Sequence, residues 1–160
     1  MFSILTRPNK TSDLLCSKLF NDETFYPTLL KDLNKASAEV IIESPFITNR
    51  RLNSIMPVLE KLKSRKVRIV INTRDPHEQN DEYRREEVHY AVASLQKIGV
   101  QVLYTDRHHR KLVIIDRRVL YEGSLNVLSQ NNSCEVMRRV ESVQLAWQMA
   151  RFVQIDKFLT

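Results

Sequence analysis

Short runs of apolar, largely β-branched residues alternate along the chain with segments of helical periodicity, and this alternation restricts the possible folds more than any other feature. In chain order we predict a helix at Tyr26–Lys35, a strand at 39–44 (EVIIES), a helix at Ser54–Ser64, a strand at 67–72 (VRIVIN), a helix at Tyr83–Ile98 and a strand at Val100–Tyr104. Strands that alternate with helices form parallel sheets covered by those helices.

One glycine and two prolines indicate where these predicted helices begin and end. Gly99 stands where a C-terminal cap of the third helix belongs. Pro27 and Pro57 are tolerated in the first turn of a helix, where the missing N–H has no acceptor, so we expect each to lie there.

The pattern changes after residue 110. Lys111–Asp116 (KLVIID) has apolar side chains on both faces and is predicted to be a central strand. Val119–Glu122 is expected to pair back on it as a hairpin, Glu135–Val140 to add a strand, and Ser142–Phe158 to close the chain as a helix. The prediction is an α/β fold, a mixed β-sheet flanked by helices.

The domain prediction is a single unit over residues 1–160, because 160 residues with 42% hydrophobic content suffice for one core. Residues 1–22 show weak periodicity and are expected to be peripheral. Ile4 and Leu5 suggest an edge strand there, and Leu14, Leu15 and Leu19 suggest a short helix.

Composition excludes several classes of protein. Two glycines cannot supply a glycine-rich nucleotide loop, and two cysteines cannot supply a disulfide scaffold or a four-cysteine zinc site. We expect no metal site and no cofactor. The chain lacks an apolar run long enough for a signal peptide or a membrane span, so a cytoplasmic location is expected. A net charge of +6 favours a polyanionic partner.

Four side chains that are common in active sites form two pairs, and the members of each pair are two positions apart. His109 and Lys111 project from the same face of a strand, as Ser124 and Asn126 do. Gly123 allows the backbone to turn or approach closely just before the second pair. If the predicted hairpin forms, an imidazole, an ammonium, a hydroxyl and an amide converge. These groups suit a nucleophile or proton carrier with partners for phosphate oxygens.

The complete spacing, HxK, four residues, D, six residues, GSxN, resembles the motif of the phospholipase D superfamily. The six positions are occupied by His109, Lys111, Asp116, Gly123, Ser124 and Asn126. The resemblance implies the superfamily's α/β sandwich fold. It also implies metal-independent phosphodiester cleavage, in which the histidine attacks phosphorus and forms a phosphohistidine.

The chain carries one copy of a motif that acts in pairs, and so it resembles the single-motif nucleases of the superfamily. The resemblance therefore implies a homodimer with one active site shared across the two-fold axis. It gives Asp116 a supporting role within the site. It also implies that Glu135 holds His109 in orientation through a hydrogen bond.

Basic residues around the motif predict contact with a nucleic-acid backbone. The predicted contacts are Arg107, Arg110, Arg117 and Arg118. His108 would point to the opposite face from His109 and is interpreted as a flanking polar or phosphate-contacting group. His77 and His89 are interpreted as structural or solvated.

The main hypothesis is a homodimeric nuclease acting on DNA or RNA. One alternative is a phospholipid hydrolase or transferase of the same superfamily, which the absence of an amphipathic helix with a broad Leu/Phe/Trp face disfavours. Another is a nucleic-acid-binding module with weak turnover in a larger helicase or restriction protein. Binding without cleavage would support the last alternative.

Overall fold

The computed structural model describes residues 16–129 and 133–158, and within them seven strands form one mixed sheet. The strands are β1 (Lys18–Phe20), β2 (Glu39–Glu43), β3 (Arg68–Thr73), β4 (Gln101–Tyr104), β5 (Leu112–Ile115), β6 (Val119–Gly123) and β7 (Met137–Glu141). Their order across the sheet is β1-β7-β6-β5-β2-β3-β4. Strands β2, β3 and β4 run parallel, and every other neighbouring pair is antiparallel. The predicted α/β class is confirmed, and β5 is central.

In the described part of the chain, four α-helices cover the sheet: α1 (Asp22–Lys35), α2 (Asn49–Ser64), α3 (Glu82–Lys97) and α4 (Val143–Phe152). Each begins after a polar N-cap whose side chain accepts a hydrogen bond from a first-turn amide. Helix α3 is followed by Gly99 at a φ of +85°, as its predicted capping role requires.

Alternate residues of the central strands enter two separate cores. Val40 and Ile42 pack with residues of α1, α2 and α3 on one face of the sheet. Ile41 and Ile114 pack with α4 on the other face. Because both faces are covered, the central strands carry apolar residues on both faces, and each buried Val, Leu or Ile contributes about 1.5–3 kcal/mol of transfer free energy.

The predicted positions of Pro27 and Pro57 are wrong. Helix α1 begins at Asp22 and α2 at Asn49, so both prolines lie beyond the first turn. Both prolines are exposed, as are Glu23 and Asn53, the residues whose carbonyl groups lose their helical donor. Water can solvate those carbonyl groups, which lowers the cost of an interior proline.

The closing helix is shorter than predicted. Helix α4 ends at Phe152, Gln154 adopts a left-handed φ of +57°, and Ile155–Phe158 forms a 3₁₀ turn. The inward residues of α4 are Ala146 and Ala150, whereas Trp147 is 42% exposed.

The N-terminal predictions are only partly covered by the structure. Leu19 lies in β1 rather than in a helix. Ile4, Leu5, Leu14 and Leu15 lie outside the described residues.

The sheet register gathers the motif residues other than Asp116 at one edge of the sheet. Leu112, the first residue of β5, pairs with Glu43 at the end of β2 and with Glu122 near the end of β6. Gly123 pairs in turn with Met137 at the start of β7. Residues just before β5, just after β6 and just before β7 therefore lie beside one another.

Candidate active site

His109 and Lys111 lie together immediately before β5. The Nζ of Lys111 is 2.9 Å from Nδ1 of His109 and donates a hydrogen bond to the His109 carbonyl oxygen at 2.7 Å. The His109 side chain is exposed and packs edge-on against the ring of Phe46, with ring centroids 6.5 Å apart. An accessible imidazole beside a cation is suited to nucleophilic attack on a phosphodiester.

Gly123 is required by the close approach of the chain that enters β7. A Cβ at this position would overlap the carbonyl oxygen of Val136. The same approach lets the Val136 amide donate to Oγ of Ser124 at 3.1 Å. Ser124 is thereby held at the end of β6, beside the residues that precede β7.

Glu135 lies against Ser124, Ser133 and Lys111. Hydrogen bonds from the hydroxyls of Ser124 and Ser133, with the nearby Lys111 ammonium, hold the pKa of the Glu135 carboxyl below its usual value. Ser133 donates to Glu135 at 2.7 Å. Partial burial lowers the pKa of Lys111, and the Glu135 carboxylate opposes that effect. Among the described residues, the side chain within hydrogen-bond distance of His109 Nδ1 is Lys111, whereas the resemblance implied Glu135.

Asn126 is 8% exposed and borders a polar cavity of about 190 Å³ next to Glu135. The hydroxyl of Tyr26 donates to the carbonyl oxygens of Asn126, at 2.8 Å, and Ser129, at 3.2 Å, and so fixes the loop after β6. Burial raises the pKa of Tyr26 to about 12, which keeps this hydroxyl a donor. We call this space the Asn126 cavity; its walls include Asp22, Glu23, Tyr26, Arg51, Asn126, Ser129 and Glu135.

Asp116 lies at the other end of β5 from His109. Its carboxylate accepts hydrogen bonds from the amides of Ser37, Ala38 and Glu39 at 2.8–2.9 Å, and from the Ser37 hydroxyl at 3.1 Å. Burial alone would raise the pKa of Asp116, but these four bonds outweigh it and the pKa is lowered. Asp116 therefore binds the chain that enters β2, and the structure does not bring it to the other motif side chains.

The four predicted basic contacts do not form one track. Arg107 is exposed just before His109, and Arg110 binds the buried carboxylate of Glu43. Arg117 pairs with Glu39 and Asp156, and Arg118 is exposed; both follow β5, at the opposite end from His109. Of the four, Arg107 alone combines exposure with a place at the motif edge.

His108 is 2% exposed, so of its two interpretations, as a flanking polar or a phosphate-contacting group, the second is wrong. Neither ring nitrogen has a hydrogen-bond partner among the described residues. Burial lowers the pKa of His108, although nearby Glu43 acts in the opposite direction. Its side chain therefore belongs to the interior of the molecule.

Sequence reasoning missed the polar layer that supports this edge. Asn72 donates to Glu43 at 3.1 Å, and Thr105 donates to Asn72 at 3.0 Å. Arg74 lies close enough to lower the pKa of both His108 and Lys111. Glu43 ends β2 and Arg74 follows β3, so their position at the carboxyl ends of parallel strands was a usable signal.

The described residues offer neither a metal-binding cluster nor a membrane-spanning helix. No three His, Cys, Asp or Glu side chains within residues 16–129 and 133–158 come together as a metal ion would require. No helix in the described part of the chain is long and apolar enough to cross a bilayer.

One protein family has a model that matches most of this chain. A family model described as cardiolipin synthase, PLD-like domain matches residues 29–155. Comparison with curated protein sequences gives no significant match.

Solved structures share the fold at low sequence identity. Nuc from Salmonella typhimurium, described as a phospholipase D family member, superposes with a TM-score of 0.70 at 17% identity, over 86% of this chain and 91% of that one. NucT from Helicobacter pylori gives 0.69 at 19% identity, over 86% and 92%. TrmBL2, an archaeal chromatin protein with a novel mode of DNA binding, gives 0.59 at 12% identity, over 89% and 52%.

Proposed function

Because the chain belongs to the phospholipase D-like family, we propose that it is a phosphodiesterase that cleaves nucleic acid through a phosphohistidine formed on His109. The observation that carries the proposal is the pairing of an exposed His109 imidazole with Lys111, beside Ser124 and Glu135. The site offers a nucleophile, a cation and hydroxyl donors at one accessible edge of the sheet.

The first step is an in-line displacement. Nε2 of His109 forms a bond to phosphorus while the bond to the leaving oxygen breaks, and that oxygen takes a proton from an acid on the far side. Water then attacks the phosphorus of the phosphohistidine and gives a proton to the residue that had acted as the acid. The bond between phosphorus and His109 breaks, which releases the phosphate product and free His109. Lys111 and Asn126 offset the phosphate charge without a metal ion.

Attack through Nε2 requires the ring proton to be on Nδ1. In the structure Lys111 Nζ lies 2.9 Å from that nitrogen. A substrate phosphate attracts the Lys111 ammonium away from the ring, and Glu135 is then the nearby carboxylate able to accept a hydrogen bond from Nδ1. Substrate binding thereby selects the nucleophilic tautomer.

The acid on the far side is His109 of a second subunit. Attacking and departing atoms are about 180° apart in an in-line displacement, so a single His109 cannot serve both. His108 cannot replace it, because it is buried. The proposed active unit is therefore a homodimer with two copies of the motif facing each other.

Nucleic acid is favoured as the substrate by charge and by exposed aromatic rings. The net charge is +6, and the side chains of Tyr83, Tyr90 and Tyr104 are exposed rather than packed inside. The exposed tyrosines are available for base stacking, whereas burial would have removed them from contact with a ligand.

A phospholipid substrate is the second candidate, and two observations favour it. The matching family model carries the description cardiolipin synthase, PLD-like domain. Helix α4 also exposes Val143, Trp147 and Phe152, and Phe152 is 77% exposed. This aromatic surface weakens the argument from sequence against membrane contact.

The test offers the purified full chain single- and double-stranded DNA and RNA, with vesicles of zwitterionic and anionic phospholipid as the competing substrate. We expect nucleic-acid cleavage that persists in excess chelator and is lost, by at least about a thousandfold, in His109→Ala. His89→Ala is the matched control, because His89 is an exposed histidine on α3. Binding should survive in both variants.

Three results would overturn the proposal. Vesicle hydrolysis without nucleic-acid cleavage would favour the lipid enzyme, and binding without any cleavage would favour a binding module. Activity lost in chelator and restored by Mg²⁺ would contradict the metal-independent mechanism.

A further inference from the structure

The Asn126 cavity contains polar groups that the fold leaves unused. Oδ1 of Asn126, Oγ of Ser129 and Nε of Arg51 are buried without a hydrogen-bond partner among the described residues. Asn126 and Ser129 are 8% and 4% exposed. Buried polar atoms cost free energy unless they are satisfied, so the unpaired Asn126 acceptor and Ser129 hydroxyl along one cavity indicate a ligand that pairs with them.

The size of the cavity exceeds what isolated waters require. Its volume of about 190 Å³ is more than ten times the roughly 10–15 Å³ that one water needs by this measure. The cavity shares Asn126 and Glu135 with the motif site. An occupant of the cavity would therefore lie next to a phosphate bound at the motif.

The charges on the walls narrow the chemistry of that group. Asp22, Glu23 and Glu135 place carboxylates along the cavity, and Arg51 places a cation there. Three carboxylates disfavour a second phosphate, and the unpaired polar atoms disfavour an acyl chain. A neutral ring that carries both donors and acceptors on its edge can pair with Asn126 and Ser129 without adding a negative charge beside the carboxylates, and a nucleobase has that character.

Arg51 also provides a flat surface. Its guanidinium lies 3.3 Å from the centroid of the Tyr26 ring, and the Tyr26 hydroxyl anchors the motif loop. Nucleobases stack on guanidinium planes as well as on aromatic rings. Tyr26 therefore supports Arg51 in a fixed position relative to Asn126.

We propose that the Asn126 cavity binds one nucleobase next to the scissile phosphate, with Arg51 as the stacking surface and Ser129 and Asn126 as hydrogen-bonding partners of the base edge. This inference rests on the proposed nuclease function. It makes Arg51 and Ser129 substrate-binding residues outside the motif.

The test uses two oligonucleotides, of whichever nucleic acid the chain cleaves, identical except that one has a single abasic nucleotide. Cleavage rates at the bonds flanking that nucleotide are compared with the same bonds in the intact strand. The wild-type chain should cleave one flanking bond roughly tenfold or more slowly when the base is missing. Arg51→Ala and Ser129→Ala should cleave the intact strand more slowly and discriminate less against the abasic strand.

Lys61→Ala is the matched control, since Lys61 is an exposed cation on the same helix as Arg51. It should retain the wild-type ratio of intact to abasic rates. Because the readout is a ratio within one protein sample, partial unfolding of a variant does not change it, and the Ser129→Ala change removes only one hydroxyl.

The outcomes separate this inference from the function on which it rests. Equal wild-type rates on intact and abasic strands overturn the base site while the nuclease function stands. Undiminished discrimination in both Arg51→Ala and Ser129→Ala also overturns it. Hydrolysis of phospholipid vesicles with no cleavage of nucleic acid overturns both proposals.

Discussion

At the scale of single residues, two adjacent histidines have opposite environments. His109 is exposed beside Lys111, whereas His108 is enclosed among Glu43, Arg74 and Arg110. Neighbours in an extended segment point to opposite sides, so one faces solvent and the other faces the interior. Their contributions should separate cleanly, with activity depending on His109 and the pH dependence of stability on His108.

His108 should destabilise the fold as the pH falls. Its pKa is lowered by burial in the folded state, so below about pH 6.5 the unfolded chain binds a proton that the folded chain does not. Stability should decline from that pH down to the folded pKa, by at most about 1.4 kcal/mol per pH unit for this one proton. Urea unfolding from pH 7.5 to 5 should show this decline in the wild type and a shallower one in His108→Phe.

His89→Phe is the control for the His108 prediction, because it removes an exposed imidazole. Its pH dependence should match that of the wild type. An unchanged slope in a folded His108→Phe would show that His108 is not the group that titrates.

Asp116→Asn should reduce stability while leaving catalysis by the folded protein unchanged. The substitution removes the charge that accepts three amides and one hydroxyl, and should lower the free energy of unfolding by about 1–3 kcal/mol. Because the folded pKa is lowered, the wild-type advantage should be complete above about pH 4 and should disappear as the pH falls through the folded value.

Thermal unfolding and kcat/KM of the same samples check the Asp116 prediction. Glu60→Gln, an exposed carboxylate on α2, should change neither quantity. A large fall in kcat/KM of Asp116→Asn at a temperature where it is fully folded would place Asp116 in the catalytic machinery instead.

At the scale of elements, the helices show how tertiary contacts override local preference. An interior proline costs about 3 kcal/mol in an isolated helix, yet α1 and α2 each contain one. The inward faces of these helices carry fully buried residues such as Leu29 and Leu59, and this burial outweighs the local cost.

Pro57→Ala should therefore raise the stability of the protein. The alanine amide can donate to the Asn53 carbonyl, and the steric conflict of the ring is removed. We expect a gain of about 1–2 kcal/mol in urea unfolding, smaller than the full propensity difference because proline also restricts the unfolded chain. The gain for Pro57→Gly should be about 1 kcal/mol smaller than the gain for Pro57→Ala. A Pro57→Ala variant that is less stable than the wild type would contradict this account.

At the scale of the whole molecule, one chain supplies only half of the proposed chemistry. The motif edge presents a single accessible imidazole next to Lys111, and His108 is unavailable. A two-fold axis beside this edge would bring two copies of His109 to opposite sides of one phosphate.

The dimer model predicts the activity of mixed samples. When equal amounts of wild type and His109→Ala exchange subunits freely, about one quarter of all dimers contain two copies of His109. Mixing doubles the total number of dimers, so the activity should be about half that of the same amount of wild type alone. Sedimentation equilibrium should show a dimer at the assay concentration. A fully active monomer, or activity proportional to the wild-type amount, would show that another residue is the acid.

The local pattern of the sequence was enough to predict the class of the fold and its central strand, because strand and helix periodicities are properties of near neighbours in the chain. The motif spacing is local in the same way, and the roles that it assigns to His109, Lys111, Ser124 and Asn126 remain predictions. Only the tertiary structure decided which charges are free. Arg117 meets Glu39 and Asp156, Asp116 meets the chain before β2, and Arg51 meets Tyr26 beside Asn126. Each partner lies at least 25 residues away, and its position depends on strand order and packing, which no local pattern encodes.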